Sequence, residues 1–451
     1  MKKSSEYSAR ASLMVVGVWM RQQGIWAEVE ERVQVKQKVV KYRPAEKLLD
    51  GLISMLAGAS GLVEINSRVR PDEALSRAFG REGCAEQSVV SQTFDACTSE
   101  NVAQMQQALA QVYRSHRAAY GHDYTAGWQV LDVDMSALPT DSQGEGVEKG
   151  YFGPNRRHRG RQVGRVCATL YDEIVVQQLF SGKRQLHHSL RPLLRSAEKV
   201  LTLSRAQRQR TLIRLDSGGG EQAHVNWLLQ RGYAVLVKAH GTARAKKLAQ
   251  SVTAWTTDPH DDGRQMAFVA LGYQYAKPTD QVVVRTLKQD KTWAYALLVC
   301  SAPYNLLCQL AHRPYHTQPS ATDHLLSIVY AYDQRGGGIE SQFKADKSGL
   351  AMTARRKRRF SAQEMLLLLL QLAHHLLVWS RSALARLHPP LARLGIRRLI
   401  RDLFAIPGQA CFDPDGHLCQ IVLNHRVPLA APLVRASPAL SLPHQLALCL
   451  D

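Results

Sequence analysis

Apolar positions recur at helical spacing over residues 44–62 and again over 95–113, and the chain up to about residue 125 reads as helical. Between those runs, 72–79 predicts a short helix, Gly80-Arg81-Glu82-Gly83 a turn, and 85–96 a second helix. Two short helices across a glycine-bearing turn are compatible with a helix-turn-helix, whose second helix would offer Gln87, Ser88, Ser91 and Gln92 to base edges. On spacing alone an ordinary helical hairpin is the favoured reading. At Trp128 the period changes to that of a strand. Over 129–135, Leu131, Val133 and Met135 share one face and Val130, Asp132 and Asp134 the other. Residues 163–170 and 174–180 predict a strand pair around Asp172-Glu173. A strand over 211–215 ends at Asp216, followed by the turn Ser217-Gly218-Gly219-Gly220, a helix over 221–231 closed by Gly232, and a strand over 233–238.

Further strands at 266–275, 282–287 and 293–300 predict a separate β subdomain. Helical pattern returns over 321–333 and 339–349, and 361–387 forms one long apolar helix. The tail holds a hairpin around Asp413-Pro414-Asp415-Gly416, and no repeat or low-complexity tract occurs. The pattern gives an α/β chain in five parts: a helical region (1–125), the first part of a core (126–245), an inserted β subdomain (246–304), the second part of the core (305–400) and a tail (401–451).

Composition changes the picture at one point. Apolar (45%) and charged (21%) residues are ordinary for a globular protein, but Lys plus Arg exceed Asp plus Glu by 58 − 38 = 20, with a pI near 9.8. That excess points to a polyanion as partner, because each neutralised phosphate releases condensed counterions. A membrane fits poorly. The apolar run 365–379 is broken by Gln371, His374 and His375 and reads as a buried helix, since a span needs ~20 mostly apolar residues. The apolar run 11–20 lacks a small-residue cleavage site and reads as a core helix, not a signal peptide. Eight scattered cysteines with no C-x-x-C pair argue against a zinc knuckle or a disulfide scaffold and fit a reducing cytoplasm.

Cutting a phosphodiester without a covalent intermediate typically uses two divalent metals, which as hard cations want carboxylate oxygens. Three acids stand at element ends: Asp134, Asp216 and Glu340. Each alone is as readily a cap. Glu340 has company, because Phe343, Lys344 and Lys347 follow it at i+3, i+4 and i+7 and so share its helix face. Such a face suits a wall that holds a metal and grips a strand; an exposed, salt-bridged helix is the plainer reading, and it leaves Tyr332 and Arg335 unexplained.

With those residues the chain resembles bacterial insertion-sequence transposases of the DDE type, whose third acid sits in a Tyr-x2-Arg-x3-Glu-x6-Lys signature. Tyr332-x2-Arg335 and Glu340-x6-Lys347 match it, Asp134-Met135-Ser136 matches the first acid, and Asp216-Ser217-Gly218 the second. The resemblance spans about 128–358. It implies an α/β fold with a ribonuclease H-like mixed sheet, an inserted β subdomain and a helical N-terminal DNA-binding region. It further implies a cytoplasmic, nucleoid-associated enzyme that binds double-stranded DNA with terminal inverted repeats as a homodimer, away from any membrane. Asp134, Asp216 and Glu340 would hold two Mg2+ ions, with Mn2+ as a substitute, for strand cleavage and transfer. Tyr332, Arg335, Lys344 and Lys347 would contact DNA phosphates. The alternative is a transposase-derived, sequence-specific DNA-binding protein without catalysis.

One departure stands inside the signature. Four residues separate Arg335 from Glu340 where the family has three, and three of the four are Gly336, Gly337 and Gly338. An extra residue turns Arg335 by about 100° relative to Glu340 on a continuous helix, so either the helix breaks here or an i→i+5 bulge absorbs it. Asp132, two residues before Asp134, is a supporting group or a supplementary ligand. Gly218-Gly219-Gly220 lacks the Lys-Ser/Thr of a phosphate loop. His187-His188 reads as a surface pair and His374-His375 as packing. Trp255 and Trp293 are core residues or stack on an unpaired base. The run Arg355-Arg356-Lys357-Arg358-Arg359 is a solvated block or a phosphate contact, and Arg156, Arg157, His158, Arg159, Arg161 and Arg165 form a second basic cluster.

Overall fold

The computed structural model describes residues 4–116, 118–140, 143–150, 152, 158–270 and 272–451; Arg156 and Arg157 of the second basic cluster lie outside them. The chain forms two compact units, one of Ala118–Ala137 and Gln162–Gln342, the other of Met1–Arg117, Leu138–Arg161 and Phe343–Asp451.

The first unit is built on a mixed sheet. Its strands are β1 (Gln129–Pro139), β2 (Arg159–Ala168), β3 (Glu173–Ser181), β4 (Thr211–Leu215), β5 (Ala234–Lys238), β6 (Thr256–Asp258), β7 (Asp261–Phe268), β8 (Asp280–Leu287) and β9 (Trp293–Cys300). They lie in the order β3-β2-β1-β4-β5-β9-β8-β7-β6, and Glu148–Lys149 adds a two-residue strand to the start of β2. β1, β4 and β5 run parallel, joined across α1 (Leu186–Leu201) and α2 (Gln222–Gln230), as parallel neighbours require crossovers. From β5 outward every pairing is antiparallel. The strands expected as a separate subdomain over 246–304 thus continue the same sheet. Their hydrogen-bonding edge is satisfied by β5 itself, which hydropathy alone does not reveal.

One face of that sheet is covered by α3 (Ala321–Arg335). Ser320 starts α3 with a capping box: its hydroxyl accepts from the Asp323 amide at 3.0 Å, and the Asp323 carboxylate accepts from the Ser320 amide at 3.3 Å. Leu325, Leu326, Ile328 and Val329 of α3 close over Val130, Leu212, Leu236, Val282 and Leu298 of five strands. Each such fully buried side chain contributes about 1.5–3 kcal/mol. Val130 and Leu212 lie on the same strand faces as Asp132, Asp134, Arg214 and Asp216, so α3 and the acids share a side.

The second unit joins the two ends of the chain. Helices Pro44–Leu56, Gln87–Ala96 and Ser99–His116 pack on the long helix Phe360–Ala385. That helix is long and apolar enough to cross a membrane, but 89% of its most apolar window is buried inside the protein, so it is a core element. Strand Ser4–Ser8 pairs with Gly408–Phe412, which forms the expected hairpin with Leu418–Leu423; Ala447–Leu450 adds the fourth strand. The segments read as a tail (401–451) and as a helical start (1–125) therefore build one unit. The reason is that the long helix has apolar residues on all sides and needs covering all round.

Candidate active site

Register brings the first two acids together. Val133 of β1 partners Leu215 of β4, so the next residues, Asp134 within β1 and Asp216 just past β4, stand side by side. Asp216 Oδ1 accepts from the Gly218 amide at 2.9 Å, which fixes the carboxylate over the turn. Gly220 ends this turn at a position where a Cβ would lie 2.0 Å from the Lys238 carbonyl oxygen, so only glycine fits. Asp134 Oδ1 accepts from the Met135 amide at 2.7 Å.

The third acid arrives through a π-helical turn. Gly336–Glu340 joins α3 to the helix Ser341–Gly349 through a π-type turn kinked at Gly338, which leaves helical geometry at φ −88°, ψ −108°. The extra residue is absorbed there, and Arg335 returns to the acids. Its Nη1 donates to Glu340 Oε1 at 2.9 Å and its Nη2 lies 2.8 Å from Asp134 Oδ2. One buried guanidinium thus spans the first and third acids. Its Nε is buried without an acceptor. Asp134 is nearly enclosed, whereas the Glu340 side chain is 56% exposed and opens the cluster to solvent.

Electrostatics tie the group together. Burial pushes the Asp134 carboxyl up to about 6; Arg335 opposes the shift, and Asp216 and Glu340 add to it. Burial works against the Arg335 charge, but Asp134 and Asp216 outweigh it and raise its pKa. Tyr332, half-buried against the core, is held protonated by burial and by the same three acids, with Arg335 opposing. The carboxylates stand further apart than a closed metal cage. Among the described residues one group of three ligands comes within 4.8 Å, Asp413, Asp415 and His417. That group is the hairpin tip, where Asp413 Oδ1 accepts from the Asp415 and His417 amides at 3.0 and 2.8 Å.

A second row supports the acids. Asp132 accepts both Nε (2.6 Å) and Nη2 (2.8 Å) of Arg214, its register partner, and Arg214 Nη1 donates to the Ala331 carbonyl of α3 at 3.0 Å. Asp132 is therefore committed to Arg214. A Cβ on Gly338 would fall 2.7 Å from Asp132 Oδ2 and 2.6 Å from Thr169 Cγ2, so the π-helical turn can rest on this pair only as glycine. Sequence reading missed Arg214, although a charged residue inside the apolar strand Thr211–Leu215 signals a buried partner.

A family model described as transposase DDE domain group 1 matches residues 4–411. The chain belongs to this transposase family. No curated protein matches its sequence. The chain shares its fold with the piggyBac transposase, solved by cryo-electron microscopy as a synaptic complex with hairpin DNA. The two superpose with a TM-score of 0.50 at 10% identity, over 90% of this chain and 82% of that one.

Other sequence candidates of this transposase separate into those held in its framework and those open to solvent. Lys344 is exposed and Lys347 half-buried in the second unit, but Phe343 is buried and does not share their outward face. Arg161 donates to the carbonyls of Glu145, Lys357 and Arg358, and Arg165 to Gln177, so neither is a phosphate contact. In the basic run, Arg355 donates to the carbonyls of Leu350 and Ala59, Lys357 to Ser91 and Asp95, Arg356 to the Thr353 carbonyl and Arg359 to the Asp95 carbonyl, while Arg356, Arg358 and Arg359 are exposed. The same Lys357 contact occupies Ser91 of the helix that a helix-turn-helix would present to base edges, while Gln92 stays exposed. Trp255 and Trp293 stack on Arg285, whose guanidinium lies 4.0 and 4.6 Å from their ring centres. His374 is buried against Asp346 at 2.8 Å and His375 stacks on Trp379, both packing residues.

Proposed function

We propose that this chain is a DNA transposase that binds the terminal inverted repeats of its own element as a dimer and cuts and rejoins DNA with divalent metal ions. The observation that carries the reading is the meeting of Asp134, Asp216 and Glu340 around Arg335, in a chain of the transposase DDE family. The strands β3-β2-β1-β4-β5 are read as a ribonuclease H-like core, with β6 to β9 as its insertion.

The donor set suits Mg2+ or Mn2+, because it offers carboxylate oxygens without thiolate or imidazole. The guanidinium between Asp134 and Glu340 marks a place where positive charge is already stabilised. Asp134, Asp216 and Glu340 would hold the ions, which when bound would supply an activated water and Lewis-acid stabilisation of the leaving 3′ oxygen. Arg335, whose buried Nε lacks an acceptor, would donate to a phosphate oxygen of the scissile strand. Tyr332 would donate its retained phenolic proton to the same strand. Lys344 and Lys347 would add phosphate contacts that set register without reading sequence.

The test is a plasmid carrying the DNA that flanks the gene, incubated with full-length protein. Nicking at the repeat ends that requires Mg2+, stops with chelator and leaves no protein-linked DNA is the expected result. A covalent protein–DNA adduct, or binding without any cleavage, would overturn the catalytic reading.

A further inference from the structure

A second cluster of polar groups lies between α1 and α2, outside the acid site. The two helices pack on each other, and the turn bearing Asp216 runs directly into α2. A Cβ on Gly219 of that turn would meet Leu186, the first residue of α1, at 3.1 Å. Both helices begin here, and neither has a side-chain cap.

Arg191 of α1 reaches α2 through Nη2, which donates to the Ala223 carbonyl at 3.5 Å, and its guanidinium lies 5.5 Å from the Trp227 ring centre. The next residue, His224, is 7% exposed. Arg191 Nε and His224 Nδ1 are both buried without a hydrogen-bond partner. Buried polar groups are seldom left so, and each asks for an explanation. The rings of His187 and His188 lie 3.8 Å apart, tilted by 49°, in the first turn of α1. Burial, then Arg191, His187 and His188, hold the His224 pKa down, with Glu221 opposing, which places these groups close around it. None of Arg191, His187 and His188 is in an ion pair among the described residues, whereas Arg231, also over Trp227, is taken up by Glu198 at 2.9 Å. Two uncapped helix starts, a guanidinium outside any ion pair and the unpartnered His224 Nδ1 favour an anion.

We propose that Arg191 and His224, flanked by His187 and His188, form a phosphate-binding site for the backbone of a DNA strand passing the Asp216 turn. The inference rests on the transposase reading and deepens it: Arg191 donates through Nε to one phosphate oxygen, and His224, as the neutral tautomer with its proton on Nδ1, to another.

Full-length protein is titrated against a labelled duplex of the gene's flanking DNA over a salt series, comparing wild type with Arg191→Gln and with His187→Gln/His188→Gln. The slope of log affinity against log salt should fall by about one for each phosphate that is no longer neutralised. In parallel, inorganic phosphate should raise the Tm of the wild type above that in chloride of equal ionic strength, and raise that of Arg191→Gln less. Unchanged salt slopes in both variants would overturn the strand assignment. A phosphate effect on Tm with unchanged slopes would identify a free-phosphate site instead. If Arg191→Gln fails to fold, the surface double variant decides. If wild type binds no DNA, the transposase reading has failed, and the Tm series alone judges whether an anion site exists.

Discussion

On β1 and β4, Asp132 and Arg214 face each other in one register row, and two residues further along stand Asp134, still within β1, and Asp216, just past the end of β4. In the first row one acid meets one guanidinium, both essentially unexposed, and the remaining Arg214 nitrogen is taken by a helix carbonyl. In the second, Asp134 and Glu340 share the single guanidinium of Arg335, Asp216 adds a third negative charge nearby, and Glu340 opens to solvent. The closed row holds α3 and the glycine turn in place; the open row keeps an excess of negative charge that an arriving cation would relieve. A charge left open at a strand end is thus tolerated because a closed pair lies directly beneath it.

Breaking the closed row should have the largest effect on stability. Asp132→Ala strands a buried Arg214 and should cost about 3–5 kcal/mol, measured by urea unfolding. Asp134→Asn, one row along, removes a carboxylate already crowded by Asp216 and Glu340 and should leave stability unchanged or higher. Equal losses in the two variants would erase the distinction between the rows.

A smaller effect is expected where the rows meet. Gly338→Ala pushes a methyl into Asp132 Oδ2 and Thr169 Cγ2, a strain of about 1–3 kcal/mol for an overpacked site. Because the turn positions Arg335, cleavage should fall as well, while DNA affinity holds. A variant of normal stability and activity would show that the turn has room to move.

The gentlest test uses pH. The folded protein holds the Asp134 proton more tightly than the unfolded chain, with its pKa raised from 3.8 to about 6. Stability should therefore decline as pH rises through that window and level off above it. Asp134→Asn should lack this decline, so that it emerges as the difference between the wild-type and variant unfolding curves. A wild-type stability that rises relative to the variant over that window would contradict the crowding of the acids.

Much of the candidate site was legible because alternation, turn chemistry and spacing mark its residues, although β1 runs on past Asp134 to Pro139 and does not close at the acid. Alternation placed Asp134, the glycine turn placed Asp216, and the count from Arg335 to Glu340 foretold a break or bulge. What spacing could not supply was pairing. Asp132 points the same way as Asp134, and only the register with Arg214 commits it to a structural role. The β strands after residue 246 gave their own period but not their neighbour, so they read as a subdomain and not as the far side of one sheet. Likewise Arg161 and Lys357 look like free charge in a linear sequence, yet backbone carbonyls and Asp95 far along the chain take them up.

The central claim is that Glu340 completes a metal-holding acid cluster, and Glu340→Gln tests it most directly. The change keeps size and removes the charge, while binding energy comes from phosphate contacts and base readout elsewhere. Gel shift and nicking are read on the same flanking-DNA substrate, beside wild type, with circular dichroism as the check on folding. Affinity should stay close to wild type while strand cleavage falls by several orders of magnitude, with partial recovery in Mn2+. Undiminished cleavage by a folded Glu340→Gln protein would contradict the account.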